Sequence, residues 1–300
     1  MGPGLRLRRN RDDTLGGEAW LALSSHLRHM ARMSALFFDL KATHNPHRWY
    51  LPLTDAVCVG PPGQMFMYGG IGLASAIAAM ERTCDRPVVW ATAQYLSYAR
   101  PGSVVDLDVW VPVAGKYNSQ ARVIGHVGDQ EIFTVNAALG ARPSPASHQW
   151  VTMPDMPPPE ACEPSKLWGD QGQNLNARLE VRMARGRYGE GPRDGKISAD
   201  GRLVMWMRMI EDFPVDASAL AVFADYVPSG VGAALGRPGG GNSLDNTLRI
   251  VRIVPTRWVL ADIMIQGIHG GFGHGDMRLF AQDGTLMAMA SQSVIVRGLD

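Results

Sequence analysis

The feature that most limits the possible folds of this chain is an internal repeat. A small, apolar segment at residues 69–82 has helical spacing and precedes four runs of strand-like composition, at 88–98, 103–113, 117–127 and 130–139. The order then returns: a helical segment from 217 to about 235 precedes runs at 244–254, 258–267, 275–281 and 285–297. Glycine-containing turns between these runs favour antiparallel hairpins.

Each repeat can bury its apolar surface in the same way. A long helix wrapped by a curved antiparallel sheet shields the helix and one face of the sheet from water. The sequence therefore predicts an α+β fold of two tandem units, each a long helix wrapped by a curved antiparallel β-sheet. Further strand-like runs at 179–185 and 203–209 precede the second helical segment. Sheets joined edge to edge would also cover exposed strand edges.

Proline marks the boundary between the two units. Residues 143–164 are rich in proline, which cannot donate the hydrogen bonds of a sheet or continue a helix. A chain of 300 residues has room for two domains. We therefore predict a first half at residues 35–142, a Pro-rich linker at 143–164 and a second half at 165–300. Residues 1–34 are expected to be a poorly ordered N-terminal extension.

The charge balance argues against several classes of partner. Lys and Arg number 29 against 28 for Asp and Glu, so we expect no nucleic acid and no stable membrane association. The basic start is followed by polar residues instead of an apolar run, which argues against a signal peptide. Three cysteines without a CxxC pair indicate reduced thiols, and we expect a cytoplasmic protein.

Several segments imitate known motifs but lack part of the pattern. Residues 70–75 lack the last glycine of a dinucleotide-binding turn, and residues 239–243 lack the Lys-Ser or Lys-Thr of a phosphate-binding loop. Ser229 lacks the upstream glycine of a nucleophile elbow. The spacing of His269 and His274 fits no common metal site, so a structural or hydrogen-bonded pair is the simpler interpretation. The sequence implies no metal or organic cofactor.

A candidate site emerges when the two halves are aligned on each other. The alignment places three polar residues of the second half opposite inert residues of the first, namely Asp225, Ser243 and Gln292 opposite Gly70, Ala91 and Ala137. A buried carboxylate or mid-strand amide needs hydrogen-bonding partners. Taken singly, Asp225 could cap a helix, Ser243 could belong to a loop, and Gln292 could face solvent. The three together favour a functional site.

Sequence patterns in both halves resemble one known family. In the second half they lie at 223–225 (Phe-Ala-Asp), 242–252, 270–275, 283–284 and 288–297. In the first half they lie at 67–70 (Met-Tyr-Gly-Gly) and 98–101 (Tyr-Ala-Arg-Pro). On these residues the chain resembles the acyl-CoA thioesterase II family of double hot-dog enzymes, over roughly residues 45–298.

This resemblance implies a double hot-dog fold and the hydrolysis of a fatty acyl-CoA to free acid and CoA. In that family an Asp, a Ser or Thr, and a Gln hold and activate the hydrolytic water, and the matching positions are Asp225, Ser243 and Gln292. The substrate partner would be an acyl-CoA, the role would lie in fatty acid and lipid metabolism, and a homo-oligomer is possible. The family often has an acidic residue at the position of Ser293. We expect this difference to affect the range of substrates more than the chemistry of hydrolysis.

Thioester hydrolysis of this kind needs no powerful nucleophile on the protein. A carboxylate can act as general base toward a positioned water, and a backbone N–H at a helix N-terminus can stabilise the oxyanion. Two alternatives stay open from the residues. One is a non-catalytic acyl-CoA or acyl-lipid binding hot-dog protein, because fold does not fix function. The other is an enoyl-CoA hydratase, which would need an Asp and His pair near a helix start, and no such pair follows Asp225.

Overall fold

The first half folds into one long helix and a set of antiparallel strands. The computed structural model describes residues 36–167, 172–189, 195–237 and 240–297, so the predicted extension at 1–34 lies outside the described residues. Helix α1 spans Gly69–Cys84. The strands of this half are β1 (Lys41–Ala42), β2 (Arg48–Pro52), β3 (Cys58–Val59), β4 (Phe66–Met67), β5 (Val88–Tyr95), β6 (Val104–Ala114), β7 (Asn118–Val127) and β8 (Gln130–Gly140).

The second half repeats this order with two short helices in place of one. Strand β9 (Glu163–Pro164) ends the Pro-rich linker. The helices are α2 (Ala217–Ala224) and α3 (Val227–Ala234). The strands are β10 (Leu179–Arg185), β11 (Arg202–Met209), β12 (Gly241–Ser243), β13 (Asp245–Ile250), β14 (Val259–His269), β15 (Phe272–Ala281) and β16 (Leu286–Val296). No helix of the described residues is long and apolar enough to cross a bilayer.

One large antiparallel sheet holds all described strands except the β3–β4 pair. Its order is β1-β2-β6-β7-β8-β5-β13-β16-β15-β14-β11-β10-β9, with β12 also paired to β16. The order on one side of the central β5–β13 pair therefore matches the order on the other side. At this centre Thr92 faces Thr247, and their hydroxyl oxygens are 2.7 Å apart. The prediction of antiparallel hairpins is confirmed by the pairing of successive strands, β6 with β7, β7 with β8, β14 with β15, and β15 with β16.

The strand register corrects one part of the sequence alignment between the halves. Thr92 and Thr247 lie 155 positions apart, and the same separation relates Gly70 to Asp225. At that separation Ser243 corresponds to Val88, because Val88 pairs with Leu139 as Ser243 pairs with Val294. The predicted match of Ser243 with Ala91 was wrong. Ala91 and Ser243 lie 152 positions apart, three fewer than the constant separation of 155, so the sequence alignment contained a gap of three residues that the paired strands do not have.

The predicted single helix from 217 to about 235 was also wrong. The chain leaves helical geometry at Asp225 and Tyr226, where α2 ends and α3 begins. Pro228 sits in the first turn of α3, a position that tolerates its missing N–H, whereas a continuous helix would place its ring against the carbonyl four residues earlier. The break puts the side chain of Asp225 at a helix end instead of on a helix face.

Small residues let α1 and α2 approach each other closely. A Cβ added to Gly70 would stand 3.0 Å from both the Ala221 oxygen and the Val222 Cα. The hydroxyl of Ser218 donates to the Ala74 carbonyl at 3.4 Å across the same contact. Close helix packing therefore explains the glycines at the start of α1. The contact brings the N-terminus of α1 against the end of α2.

The Pro-rich linker packs on the outer face of the second half. The Trp206 indole N–H donates to the Pro157 carbonyl at 2.9 Å, and Cys162 is buried in the same place. Val151, Met153 and Met156 pack against the apolar cluster formed there. The segment therefore covers apolar surface in addition to connecting the two halves.

Candidate active site

The three predicted site residues meet beside the N-terminus of α1. Asp225 follows the last residue of α2, Ser243 ends β12, and Gln292 lies in β16. The break between α2 and α3 turns the Asp225 carboxylate toward the sheet. The antiparallel pairing of β12 with β16 then brings Ser243 and Gln292 to the same place.

Hydrogen bonds link the three side chains directly. Asp225 Oδ1 accepts from Gln292 Nε2 at 2.5 Å and from the Ser243 hydroxyl at 3.0 Å. Gln292 Nε2 and Ser243 Oγ lie 3.2 Å apart, which closes a triangle. Asp225 is 6% exposed and Gln292 is 3% exposed, so water competes little with these bonds.

The first half supplies contacts that sequence reasoning missed. Gly70 N–H, in the first turn of α1, donates to Asp225 Oδ2 at 2.7 Å, and the Tyr68 hydroxyl donates to the Asp225 carbonyl at 2.7 Å. Backbone donors have no signature of their own in a sequence. The one available signal was the pair of glycines that opens α1 after Tyr68, because N-terminal amides of a helix bind anions.

Burial dominates the titration of this carboxyl group. It raises the pKa of Asp225 from 3.8 to about 6, while the hydrogen bonds from Gln292, Ser243 and Gly70 oppose the increase. Burial and the nearby Asp225 carboxylate also raise the pKa of Tyr68 well above its usual value. At neutral pH the site therefore holds an ionised carboxylate with a neutral phenol beside it.

A cavity of about 850 Å³ opens onto this cluster. Asp225, Ser243 and Gly69 line it together with apolar and aromatic groups that include Phe66 and Ile132. Such a volume is typical of a small-molecule site. Arg297 also lines the cavity and holds the Asn242 amide oxygen at 3.1 Å, so a cationic group borders the same space.

The histidine pair takes no part in this cluster. His274 Nδ1 lies 3.2 Å from the Ser293 hydroxyl, and His269 ends β14 on the surface. Within the described residues, no group of three or more His, Cys, Asp and Glu side chains is arranged to hold a metal ion. Among the described residues, the side chains that donate to the Asp225 carboxylate are Ser243 and Gln292, and neither is a histidine.

Comparisons with known proteins agree with the fold. The family model of the acyl-CoA thioesterase C-terminal domain matches residues 159–296. The structure of a proposed thioesterase from Novosphingobium aromaticivorans is 35% identical, with a TM-score of 0.76, and the match covers 86% of this chain and 98% of that chain. A search of curated proteins finds no match.

More distant structures show the same fold. A hot-dog protein of unknown function from Alicyclobacillus acidocaldarius is 19% identical, with a TM-score of 0.75, and the match covers 87% of this chain and 97% of that one. An acyl-CoA thioesterase II from Mycobacterium marinum is 22% identical, with a TM-score of 0.66, and the match covers 86% and 96%.

Together the large antiparallel sheet, its enclosed helices and these relatives define a thioester hydrolase with the hot-dog fold. The chain belongs to the acyl-CoA thioesterase family.

Proposed function

We propose that this protein is a double hot-dog acyl-CoA thioesterase that hydrolyses a fatty acyl-CoA to free acid and CoA. The two halves, at 35–142 and 165–300, would be the two hot-dog domains, joined by the linker at 143–164. The observation that carries the proposal is the buried carboxylate of Asp225, which lines the cavity and is held by Ser243, Gln292 and Gly70. Burial of a carboxylate costs free energy, and a purely structural role in the core would leave that cost unexplained.

The attacking water would bind to the acceptor position that the protein leaves open. A carboxylate offers about four acceptor positions, and three are used by Gln292, Ser243 and Gly70. A water in the cavity would donate to the remaining one, close to the Ser243 hydroxyl. A base with a pKa of about 6 is ionised at neutral pH and still able to accept a proton.

The reaction then follows with balanced proton transfers. The water oxygen attacks the thioester carbonyl carbon as Asp225 takes one of its protons. The tetrahedral intermediate collapses with cleavage of the C–S bond, and the proton on Asp225 passes to the leaving CoA thiolate. Ser243 and Gln292 keep the carboxylate oriented toward the water, which lowers the entropic part of the barrier.

The N-terminus of α1 would stabilise the oxyanion. Gly69 N–H is the first amide of this helix and borders the cavity, and it has no hydrogen-bond acceptor in the described part of the chain. An amide at a helix N-terminus favours developing negative charge. Arg297, at the edge of the cavity, would meet the phosphates of CoA.

The test is release of free thiol from a panel of acetyl- to palmitoyl-CoA. Asp225→Asn should lower kcat/KM by about 100- to 10,000-fold, because it removes the general base. Asp216→Asn is the matched control at the other end of α2. Asp216 accepts from the Ala219 N–H, and Asn caps a helix equally well, so this variant should keep its activity.

Two results would contradict the proposal. Equal activity of wild type and Asp225→Asn would remove Asp225 from the mechanism. If no member of the panel is hydrolysed but acyl-CoA binds, the protein is a non-catalytic acyl-CoA binding protein. Oligomeric state follows from light scattering of the same samples, and a homo-oligomer remains a proposal.

A further inference from the structure

Unpartnered polar atoms gather next to the carboxylate. Among the described residues, the buried side-chain atoms without a hydrogen-bond partner are Tyr95 Oη, Asn246 Nδ2 and Oδ1, Gln292 Oε1 and Arg86 Nη1. All but the last belong to neighbouring strands β5, β13 and β16 beside Asp225. Buried polar atoms are usually satisfied, so such a concentration indicates groups that meet a ligand or water.

The strand register places Tyr95 and Asn246 on the same face of the sheet. Ala93 pairs with Asn246, and paired residues point to the same face. Tyr95 lies two positions after Ala93 in β5 and so shares that face, which carries the buried Ala91 and Ala93. The face is the one covered by the helices. Tyr95 therefore projects from the first half toward the site of the second.

The Tyr95 hydroxyl lies beside both the cavity and the base. A Cβ on Gly69 would stand 2.7 Å from Asp225 Oδ2 and 3.2 Å from the Tyr95 hydroxyl oxygen, so both groups flank the first residue of α1. Tyr95 also lines the cavity. The phenol oxygen thus borders the place where the Gly69 N–H and the Asp225 carboxylate meet the substrate.

We propose that Tyr95 is a further catalytic residue, which donates a hydrogen bond from its hydroxyl to the thioester carbonyl oxygen. This inference rests on the proposed function. The carbonyl oxygen would lie between Tyr95 O–H and Gly69 N–H, opposite the water held by Asp225. As negative charge develops on that oxygen, both donors stabilise it, and the phenol keeps its proton throughout.

The surroundings of the phenol suit a donor. Burial and the Asp225 carboxylate raise the pKa of Tyr95 well above its usual value, which keeps it protonated at any working pH. The Asn246 amide opposes this increase and so lies near the phenol oxygen, although no hydrogen bond of ordinary geometry joins them. Because the Tyr95 hydroxyl has no partner within the described residues, its O–H is free to point to the cavity.

The experiment compares the wild type with Tyr95→Phe. The variant keeps the ring against Gly69 and removes only the hydroxyl. We expect kcat to fall at least tenfold, since loss of one oxyanion donor typically costs about 100- to 1000-fold, with an unchanged apparent pKa near 6 in the pH profile. The melting temperature should not fall, because the lost group makes no hydrogen bond within the described residues.

The binding of two CoA analogues distinguishes a hydrogen bond from Tyr95 to the carbonyl oxygen from a general change in the cavity. The octyl thioether of CoA has no carbonyl oxygen, whereas the ketone analogue of octanoyl-CoA keeps it and replaces the sulfur with a methylene group. Tyr95→Phe should weaken binding of the ketone at least threefold more than binding of the thioether. Tyr117→Phe, which removes a phenol hydroxyl distant from the cavity, should change neither kcat nor this ratio.

The inference is overturned if kcat of Tyr95→Phe falls less than tenfold, if the apparent pKa moves, or if both analogues lose affinity equally. If the wild type hydrolyses no acyl-CoA, the proposed function fails instead. The ratio of ketone to thioether binding then decides alone whether Tyr95 contacts the carbonyl.

Discussion

Two opposing effects set the pKa of the Asp225 carboxylate. Burial favours its neutral form, whereas three hydrogen bonds favour its ionised form, and burial is the larger effect. Each of the three donors therefore adjusts the basicity of the group as well as its position. Removing a donor should make the carboxylate more basic and less well oriented at the same time.

The pH dependence of hydrolysis tests this balance. A base must be ionised to act, so kcat/KM should rise with pH through an apparent pKa of about 6 and then level off. Ser243→Ala removes a donor that lowers the pKa of Asp225, so the midpoint should move to higher pH while the plateau falls. The measurement is a rate profile from pH 4.5 to 8.5 in both proteins. A midpoint that moves to lower pH would show that Ser243 acts on another group.

The candidate site depends on the ends of the helices more than on their lengths. The end of α2 presents the carboxylate, and the start of α1 presents the amide that binds it. The two ends can meet because Gly70 has no side chain. Its Cβ would stand 2.8 Å from Tyr68 Cε1 and 3.0 Å from the backbone of α2, and backbone atoms cannot move aside cheaply.

Gly70→Ala should therefore both destabilise the fold and slow the reaction. We expect a loss of about 1–3 kcal/mol in the free energy of unfolding, the usual cost of overpacking. kcat should fall as well, because the Gly70 N–H moves away from Asp225. Gly267→Ala is the control, since a Cβ on Gly267 meets nothing within 4 Å. Denaturant unfolding and thiol release measure the two effects. A Gly70→Ala protein as stable as Gly267→Ala would disprove the close contact.

The elements were predicted from sequence to different degrees. The run at 179–185 coincides with β10, and the run at 117–127 differs from β7 by one residue, because alternating apolar residues and glycine turns mark such strands directly. The break after α2 was missed because residues 217–235 were treated as one apolar helical segment, although Pro228 fits the first turn of a new helix and not the interior of a continuous one. Short strands such as β12 depend on tertiary pairing with β16 and leave no periodic pattern.

The residues of the candidate site were also predicted from sequence to different degrees. Asp225, Ser243 and Gln292 could be selected from sequence because polar side chains are conspicuous in apolar segments. The Gly70 amide could not, because every residue has one and only tertiary structure selects among them. Tyr95 could not be selected either, because the sequence shows only that it lies in the strand-like run at 88–98 and not that its hydroxyl lacks a partner.

For the whole molecule, the raised pKa of Asp225 makes stability depend on pH. The folded protein binds a proton at this group more tightly than the unfolded chain, so its contribution to stability declines as pH rises from about 4 to above 6. The difference of about two pKa units corresponds to about 3 kcal/mol.

Unfolding across this pH range measures the effect. Relative to Asp225→Asn, which does not titrate, the wild type should lose about 2 kcal/mol between pH 4 and pH 7.5, because part of the total is already lost at pH 4. The comparison cancels the titration of all other groups that the two proteins share. A difference between the two proteins that stays constant with pH would show that Asp225 titrates alike in the folded and unfolded chain.

The hydrogen bond from Gly70 to Asp225 also restricts how this chain can diverge. Here the amide at the start of α1 supports the carboxylate of the other half, so substitutions in the two halves must remain compatible with each other. A chimera that joins the first half of a distant relative to this second half would keep the side chains of Asp225, Ser243 and Gln292. It would still lose the correct position of the Asp225 carboxylate if the amide at the start of α1 were displaced.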